Sequence, residues 1–141
     1  MRAYLDTALL VSALTAEADG QRVGDWVQAR ASDELLVSDW VIAEFSAALS
    51  RKLRVGQIDA IGRAAALAAF SQFCTNNAVV LSVERPQFRT AAAFADRHVA
   101  GIRAGDALHL AIAFDNRATL CTLDRRLAEA GPALGVMTLL V

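Results

Sequence analysis

Long apolar runs, paired cysteines, segment-dividing linkers and an excess of charge are all missing from this sequence, and each absence removes a class of protein. No stretch approaches the roughly 18 apolar residues that a membrane-spanning helix requires, although 55% of the chain is hydrophobic. The opening Met-Arg-Ala-Tyr-Leu-Asp meets an acid at position 6, too soon for the apolar region of a secretion signal. The expectation is a cytoplasmic protein with no membrane contact. Cys74 and Cys121 form neither a C-x-x-C pair nor a zinc spacing, so both are expected as small core residues in a reducing compartment. A formal net charge of −1 excludes a protein that coats nucleic acid by bulk basicity, yet 13 arginines against one lysine leave groups for local phosphate contacts. No repeat, low-complexity tract or Pro/Ser-rich linker interrupts the 141 residues, which suit one domain, 1–141, with a substantial core.

What is present is alternation. Residues 3–5 read as a short strand running into Asp6-Thr7 and a helix over 8–15. A second helix is expected over 21–31, where Val23, Trp26 and Val27 recur at i, i+3 and i+4. Leu35-Leu36-Val37 reads as a buried strand, and Ser38 or Asp39 caps a helix to about residue 53 with Val41, Phe45, Ala48 and Leu49 as its apolar stripe. It ends near Gly56. An Ala-rich helix over 59–75, a buried strand over 78–83 and a helix from Pro86 to residue 98 follow. Gly101 and Gly105 bracket a turn before a helix over 106–116. Residues 119–123 form a strand, 124–130 a helix, Gly131-Pro132 a break, and 136–141 the last strand. Short strands alternating with helices indicate an α/β domain with a mostly parallel sheet, because parallel strands need long crossovers.

Four acids stand out against this scaffold. Asp6 and Asp124 each follow a strand and precede a helix, where aspartate is a favoured N-cap; taken singly, capping explains them. They also occupy the carboxyl edge of the strands, where open α/β sheets bind ligands. Asp106 opens a helix that is apolar around nearly its whole circumference, so burial and a compensating partner are expected for it. Glu44 sits at the edge of the Val41/Phe45/Ala48 stripe, and alone signifies little. Carboxylates that converge raise one another's pKa, so a cluster of them calls for a hard cation. His109 lies one turn beyond Asp106 without a second His or Cys nearby; a hydrogen-bonded core histidine is the expectation, not a ligand. Arg51-Lys52-x-Arg54 reads as helix termination.

Taken in order, Y-L-D-T-A-L-L with Asp6, W-V-I-A-E-F with Glu44, I-R-A-G-D-A-L-H-L-A-I-A with Asp106 and L-C-T-L-D-R-R-L with Asp124 resemble the four acidic motifs of PIN-domain nucleases. The set is similar in particular to the VapC-type ribonuclease toxins of toxin-antitoxin pairs, from residue 2 to the last strand. That resemblance implies a three-layer α/β/α sandwich with strand order 3-2-1-4-5, which would put Asp6 beside Asp124. It implies an endoribonuclease dependent on Mg²⁺, with Mn²⁺ able to substitute, that leaves a 5′-phosphate and a 3′-hydroxyl. Asp6, Asp106 and Asp124 would be the metal ligands, and Glu44 would position or deprotonate the attacking water. Thr122 matches a supporting hydroxyl residue two before the last acid. Ala8 departs from the family, which often carries serine there. The partners implied are RNA as substrate, a second copy in a homodimer, and a cognate antitoxin whose amphipathic segment enters a groove between the early helices. Trp26, Val27, Leu67, Phe70 and Phe73 recur on helices away from the acids; ordinary core is the favoured reading of any one of them, and exposure toward a partner is the other.

Other classes fail on specific residues. A receiver domain would need a lysine ending the last strand, but Lys52 ends a helix; a haloacid-dehalogenase-like phosphatase would want a second Asp where Ala8 stands. D-T-A-L-L is no glycine-rich phosphate loop. The alternative that survives is a catalytically idle PIN-like module that binds RNA or protein.

Overall fold

The computed structural model describes residues 1–141. In chain order the elements are β1 (Arg2–Leu5), α1 (Thr7–Leu14), α2 (Gly20–Gln28), β2 (Glu34–Ser38), α3 (Asp39–Arg54), α4 (Ala60–Asn76), β3 (Ala78–Leu81), α5 (Arg85–Ala95), α6 (Ala104–Asp115), β4 (Thr119–Thr122), α7 (Arg125–Ala133) and β5 (Thr138–Leu140). The five strands form one sheet in the order β3-β2-β1-β4-β5. Every pairing is parallel, so the sheet is wholly rather than mostly so.

Handedness explains the layers. Steps from β1 to β2 and on to β3 move one way across the sheet, while those from β3 to β4 and β5 move the other way. Because parallel crossovers are right-handed, the first set places α1 to α4 on one face and the second places α5 to α7 on the opposite face. The direction of travel reverses between β1 and β4, and a crevice opens there at the strands' carboxyl ends. Ala3, Tyr4 and Leu5 of β1 are fully buried, as expected of a central strand covered on both faces. One apolar cluster runs through the molecule, with Phe45 of α3 stacked on Phe70 of α4 at 4.1 Å. Phe70 is therefore core, whereas Trp26, Val27, Leu67 and Phe73 are only partly covered.

Four local readings are corrected. β3 is not a buried strand: it lies at the sheet edge, and Val79 and Val80 remain exposed. The helix after Pro86 stops at Ala95, and a 3₁₀ turn over His98–Ala100 leads to Gly101, whose positive φ of 61° suits glycine. Gly105 lies inside α6 and not in a turn before it. Gly131-Pro132 does not break α7, which continues through both to Ala133. Pro132 has no N–H to offer the Ala128 carbonyl four residues back, and the Thr138 hydroxyl donates to that oxygen instead at 2.6 Å.

The same contact explains Gly131. A Cβ there would stand 2.2 Å from Thr138 Cγ2 and 3.2 Å from the Val136 carbonyl oxygen, and Thr138 cannot swing aside without giving up Ala128. Gly131→Ala is expected to destabilise the fold by about 1–3 kcal/mol as an overpacking change, against roughly 1 kcal/mol that alanine would otherwise add in a helix. Denaturant unfolding reads this directly; a variant as stable as the parent would show that α7 and β5 are not tightly docked.

Candidate active site

Asp6 follows β1 and caps α1, its Oδ1 accepting the Leu9 backbone N–H at 2.9 Å. Leu5 is in register with Cys121, which sets Asp6 across from Thr122. The Thr122 hydroxyl donates to Asp6 Oδ2, and Thr122 Oγ1 accepts the Asp124 backbone N–H at 2.9 Å. Asp124 in turn caps α7, accepting from Arg126 N at 2.8 Å and Leu127 N at 3.2 Å on Oδ1. Capping and convergence are thus both true of these acids. Thr122 ties the two helix starts together across the β1–β4 seam. Asp6 is buried and Asp124 exposed. Burial pushes the Asp6 carboxyl above the usual range and the nearby Glu44 charge adds to this, against the opposing pull of Thr122, Leu9 and His109.

Glu44 reaches the same place from the second turn of α3. Its Oε2 accepts the Thr7 hydroxyl at 2.5 Å and lies 2.7 Å from His109 Nε2. Burial alone would raise this carboxyl, but His109, by hydrogen bond and charge, and Thr7 together hold it below the usual range. His109 is buried, with Nδ1 2.9 Å from the Tyr4 hydroxyl. It is the hydrogen-bonded histidine the sequence suggested, but its partner is one of the four acids. Asp106 differs from expectation. α6 is buried from Ala107 to Ala113, while Asp106 itself is only half-buried and faces the crevice. The helix's first turn lies at the sheet's open edge, so the apolar circumference further along does not enclose it.

Asp6, Glu44, Asp106 and Asp124 all line one cavity of about 610 Å³, together with Thr7, Ala8 and His109. Arg51 and Lys52 line it too. They do end α3, as the sequence indicated, and they also put positive charge on the rim of an acidic pocket. Lys52 is paired with Glu17 at 2.8 Å; Arg51 has no carboxylate partner. Tyr4 and Thr7 fell inside the Asp6 motif without a role of their own, and Arg51 read only as the end of a helix.

The donor set fits a hard divalent cation in chemistry: four carboxylates with hydroxyl groups between them, and no thiolate. Cys121 is buried in β4 with its thiol pushed up to about 12 by burial, which leaves it inert. Glu44 Oε1, Asp124 Oδ2 and the Asp106 carboxylate remain free of hydrogen bonds from the protein. No three acidic or histidine side chains stand close enough to enclose an ion by themselves. Magnesium commonly takes one or two carboxylates and keeps several waters, so the spacing suits an ion held partly through water.

A wholly parallel α/β/α sandwich with an acid-lined crevice at its switch point defines the class. The chain belongs to the PIN-domain family, whose sequence model matches residues 3–131. Among solved structures it is similar to VapBC2 from Rickettsia felis bound to a DNA fragment from its promoter, with a TM-score of 0.76 and 15% identity over 100% of this chain and 99% of that one. It is similar also to Mycobacterium tuberculosis VapC20, a Sarcin-Ricin loop cleaving toxin (TM-score 0.74, 19% identity, 92% and 95% covered). DNA-bound VapBC from Salmonella typhimurium matches with a TM-score of 0.72 at 13% identity over 99% and 97% of the chains. These identities speak to the fold. No curated protein matches by sequence.

Proposed function

We propose that this chain, as a single PIN domain, is a Mg²⁺- or Mn²⁺-dependent endoribonuclease toxin of the VapC type, acting in the cytoplasm and neutralised by a cognate antitoxin. The observation that carries this is the convergence of Asp6, Glu44, Asp106 and Asp124 on one cavity at the switch point of the sheet. Asp6, Asp106 and Asp124 hold the cation, directly or through water, with Thr122 keeping Asp6 in place. When bound, Mg²⁺ or Mn²⁺ offsets the negative charge of phosphate and acids and lowers the pKa of a coordinated water.

The protein's own groups do the rest. Glu44, ionised by its neighbours, orients the attacking water through Oε1 and takes its proton. Arg51 is the free cation that meets an RNA phosphate, and Lys52 can exchange Glu17 for another. The RNA backbone lies along this rim so that the scissile phosphate falls between the acids. The VapBC complexes among the similar structures support the partner. So does a second cavity of about 550 Å³ between α1, α2 and α4, where Leu10, Leu14, Val27 and Phe73 are interspersed with Gln28, Gln72 and Asn76; an amphipathic helix suits such a mixed groove. A homodimer completes the reading.

Mixed-sequence single-stranded RNA is the probe for this function. Cleavage is expected with Mg²⁺ or Mn²⁺, none after EDTA, and recovery when the metal is restored. Calorimetric titration with Mn²⁺ separates the idle-module alternative, since that protein would bind no metal at these acids and cut nothing.

A further inference from the structure

A buried polar chain runs behind the crevice, and every donor in it has one acceptor. Val41 N–H, in the first turn of α3, donates to Ser38 Oγ at 3.3 Å. Ser38 Oγ and the Tyr4 hydroxyl are 2.8 Å apart, and Tyr4 is 2.9 Å from His109 Nδ1. His109 Nε2 then meets Glu44 Oε2 at 2.7 Å. A carboxylate only accepts, so Nε2 carries the hydrogen. With Nδ1 accepting, the phenol donates to it and accepts the Ser38 hydroxyl hydrogen, so each hydrogen of the chain meets one acceptor. Ser38, Tyr4 and His109 are all buried, with Tyr4 and Ser38 at 0% exposure. Burying three polar side chains is costly unless each is paired, and here the pairing ends on a functional acid.

The geometry assigns a further role, resting on the nuclease reading. We infer that His109, braced by Tyr4 and Ser38, is the positioning residue that fixes the Glu44 carboxylate with Oε2 turned inward and Oε1 presented to the crevice. The free Oε1 is closely walled: a Cβ built on Gly105 would stand 3.3 Å from it and 3.5 Å from the Trp40 ring. Glu44 has three side-chain torsions, and on a half-exposed helix face a carboxylate without partners would sample several rotamers. His109 and Thr7 together remove that freedom. Four elements contribute: β1 supplies Tyr4, β2 ends on Ser38, which caps α3, α6 supplies His109, and α3 carries Glu44.

Two variants of His109 separate positioning from packing. A glutamine amide nitrogen falls near the place of Nε2, so His109→Gln keeps a donor toward Glu44; an asparagine amide falls near Nδ1, so His109→Asn keeps only the Tyr4 side. With single-stranded RNA and Mn²⁺, His109→Gln is expected to hold kcat within about threefold of the parent. His109→Asn is expected to lose roughly tenfold or more in kcat at unchanged KM, a scale in keeping with a lost supporting contact. Equal losses in both variants would overturn the assignment. The chain has only two histidines and His98 is exposed, so ¹⁵N imidazole spectra provide an arm that needs no RNA. A protected Nε2–H signal from His109 that shifts in both Glu44→Gln and Tyr4→Phe supports the chain; a signal indifferent to Glu44→Gln refutes it. Should the parent cut no RNA, the nuclease reading falls while the spectra still decide whether His109 holds Glu44.

Discussion

Asp6→Asn is expected to abolish metal-dependent RNA cleavage and at the same time raise thermal stability. Asparagine keeps the shape and the N-cap acceptor for Leu9 but removes the charge, and its amide nitrogen donates to Thr122 Oγ1 where Oδ2 had accepted. Loss of a preorganised charge at the cation should slow cleavage by roughly 10²-fold or more, the scale of a single electrostatic group in a water-poor site. The rise in stability follows from burial. Asp6 is 4% exposed, and its folded pKa is raised chiefly by desolvation. Below the unfolded pKa the proton is on the group in both states and costs nothing; as pH rises through the raised folded pKa, the folded protein must ionise a buried acid and stability is lost. The gain in Tm for Asp6→Asn over the parent should therefore vanish in acid and grow toward neutrality. Asp106→Asn should lose activity to a similar degree without that gain, since Asp106 is half-exposed and caps nothing. Full activity in both variants, with circular dichroism unchanged, would remove the carboxylate mechanism.

The antitoxin that the proposed function calls for is expected to suppress cleavage about 100-fold when present at roughly 100 times its Kd, because about 1% of the nuclease then remains free. The groove between α1, α2 and α4 gives the physical basis. Leu10 and Leu14 from α1, Val27 from α2 and Phe73 from α4 line it, and a helix presenting apolar residues at i, i+3 and i+4 would cover them. Trp26, partly covered on α2, has the Arg30 guanidinium 3.6 Å above its ring, which shields that aromatic face and leaves Val27 as the α2 contact. An arginine on the partner could then reach the acids and compete with the cation. Light scattering of the chain alone should give a dimer, and with the partner a larger complex. Undiminished cleavage in excess cognate partner would defeat the inhibition, and a monomer at micromolar concentration would defeat the dimer.

Local sequence was informative wherever one segment's own chemistry decides its state. Alternating apolar strands and capped helices placed twelve elements within a few residues. Asp6, Ser38, Asp59 and Asp124 each cap the helix that follows them. Those same features made the family resemblance legible, because Asp6 and Asp124 follow strands, Asp106 lies in the first turn of a helix and Glu44 in the second turn of another. Misreadings fell where a distant residue intervenes. Proline and glycine adjacent in sequence signal a break, but Thr138 takes over the carbonyl that Pro132 strands. An apolar run reads as a buried strand, but strand order left β3 at the edge with its valines uncovered.

The candidate site divides the same way. Residue type and position beside a strand or helix start are local, so Asp6, Asp106 and Asp124 stood out in the sequence by itself, and the family motifs added Glu44 and Thr122. Which of them are buried, and what holds each one, is a matter of neighbours far away in the chain. Tertiary structure alone sank Asp6 against Thr122 and left Asp106 half-exposed. It set His109 between Tyr4 and Glu44, and turned a helix-ending Arg51 into part of the crevice wall. The physical reason is that hydrogen bonds and desolvation act over a few ångströms in space, and only the folding of β1, α3 and α6 together brings those groups within reach.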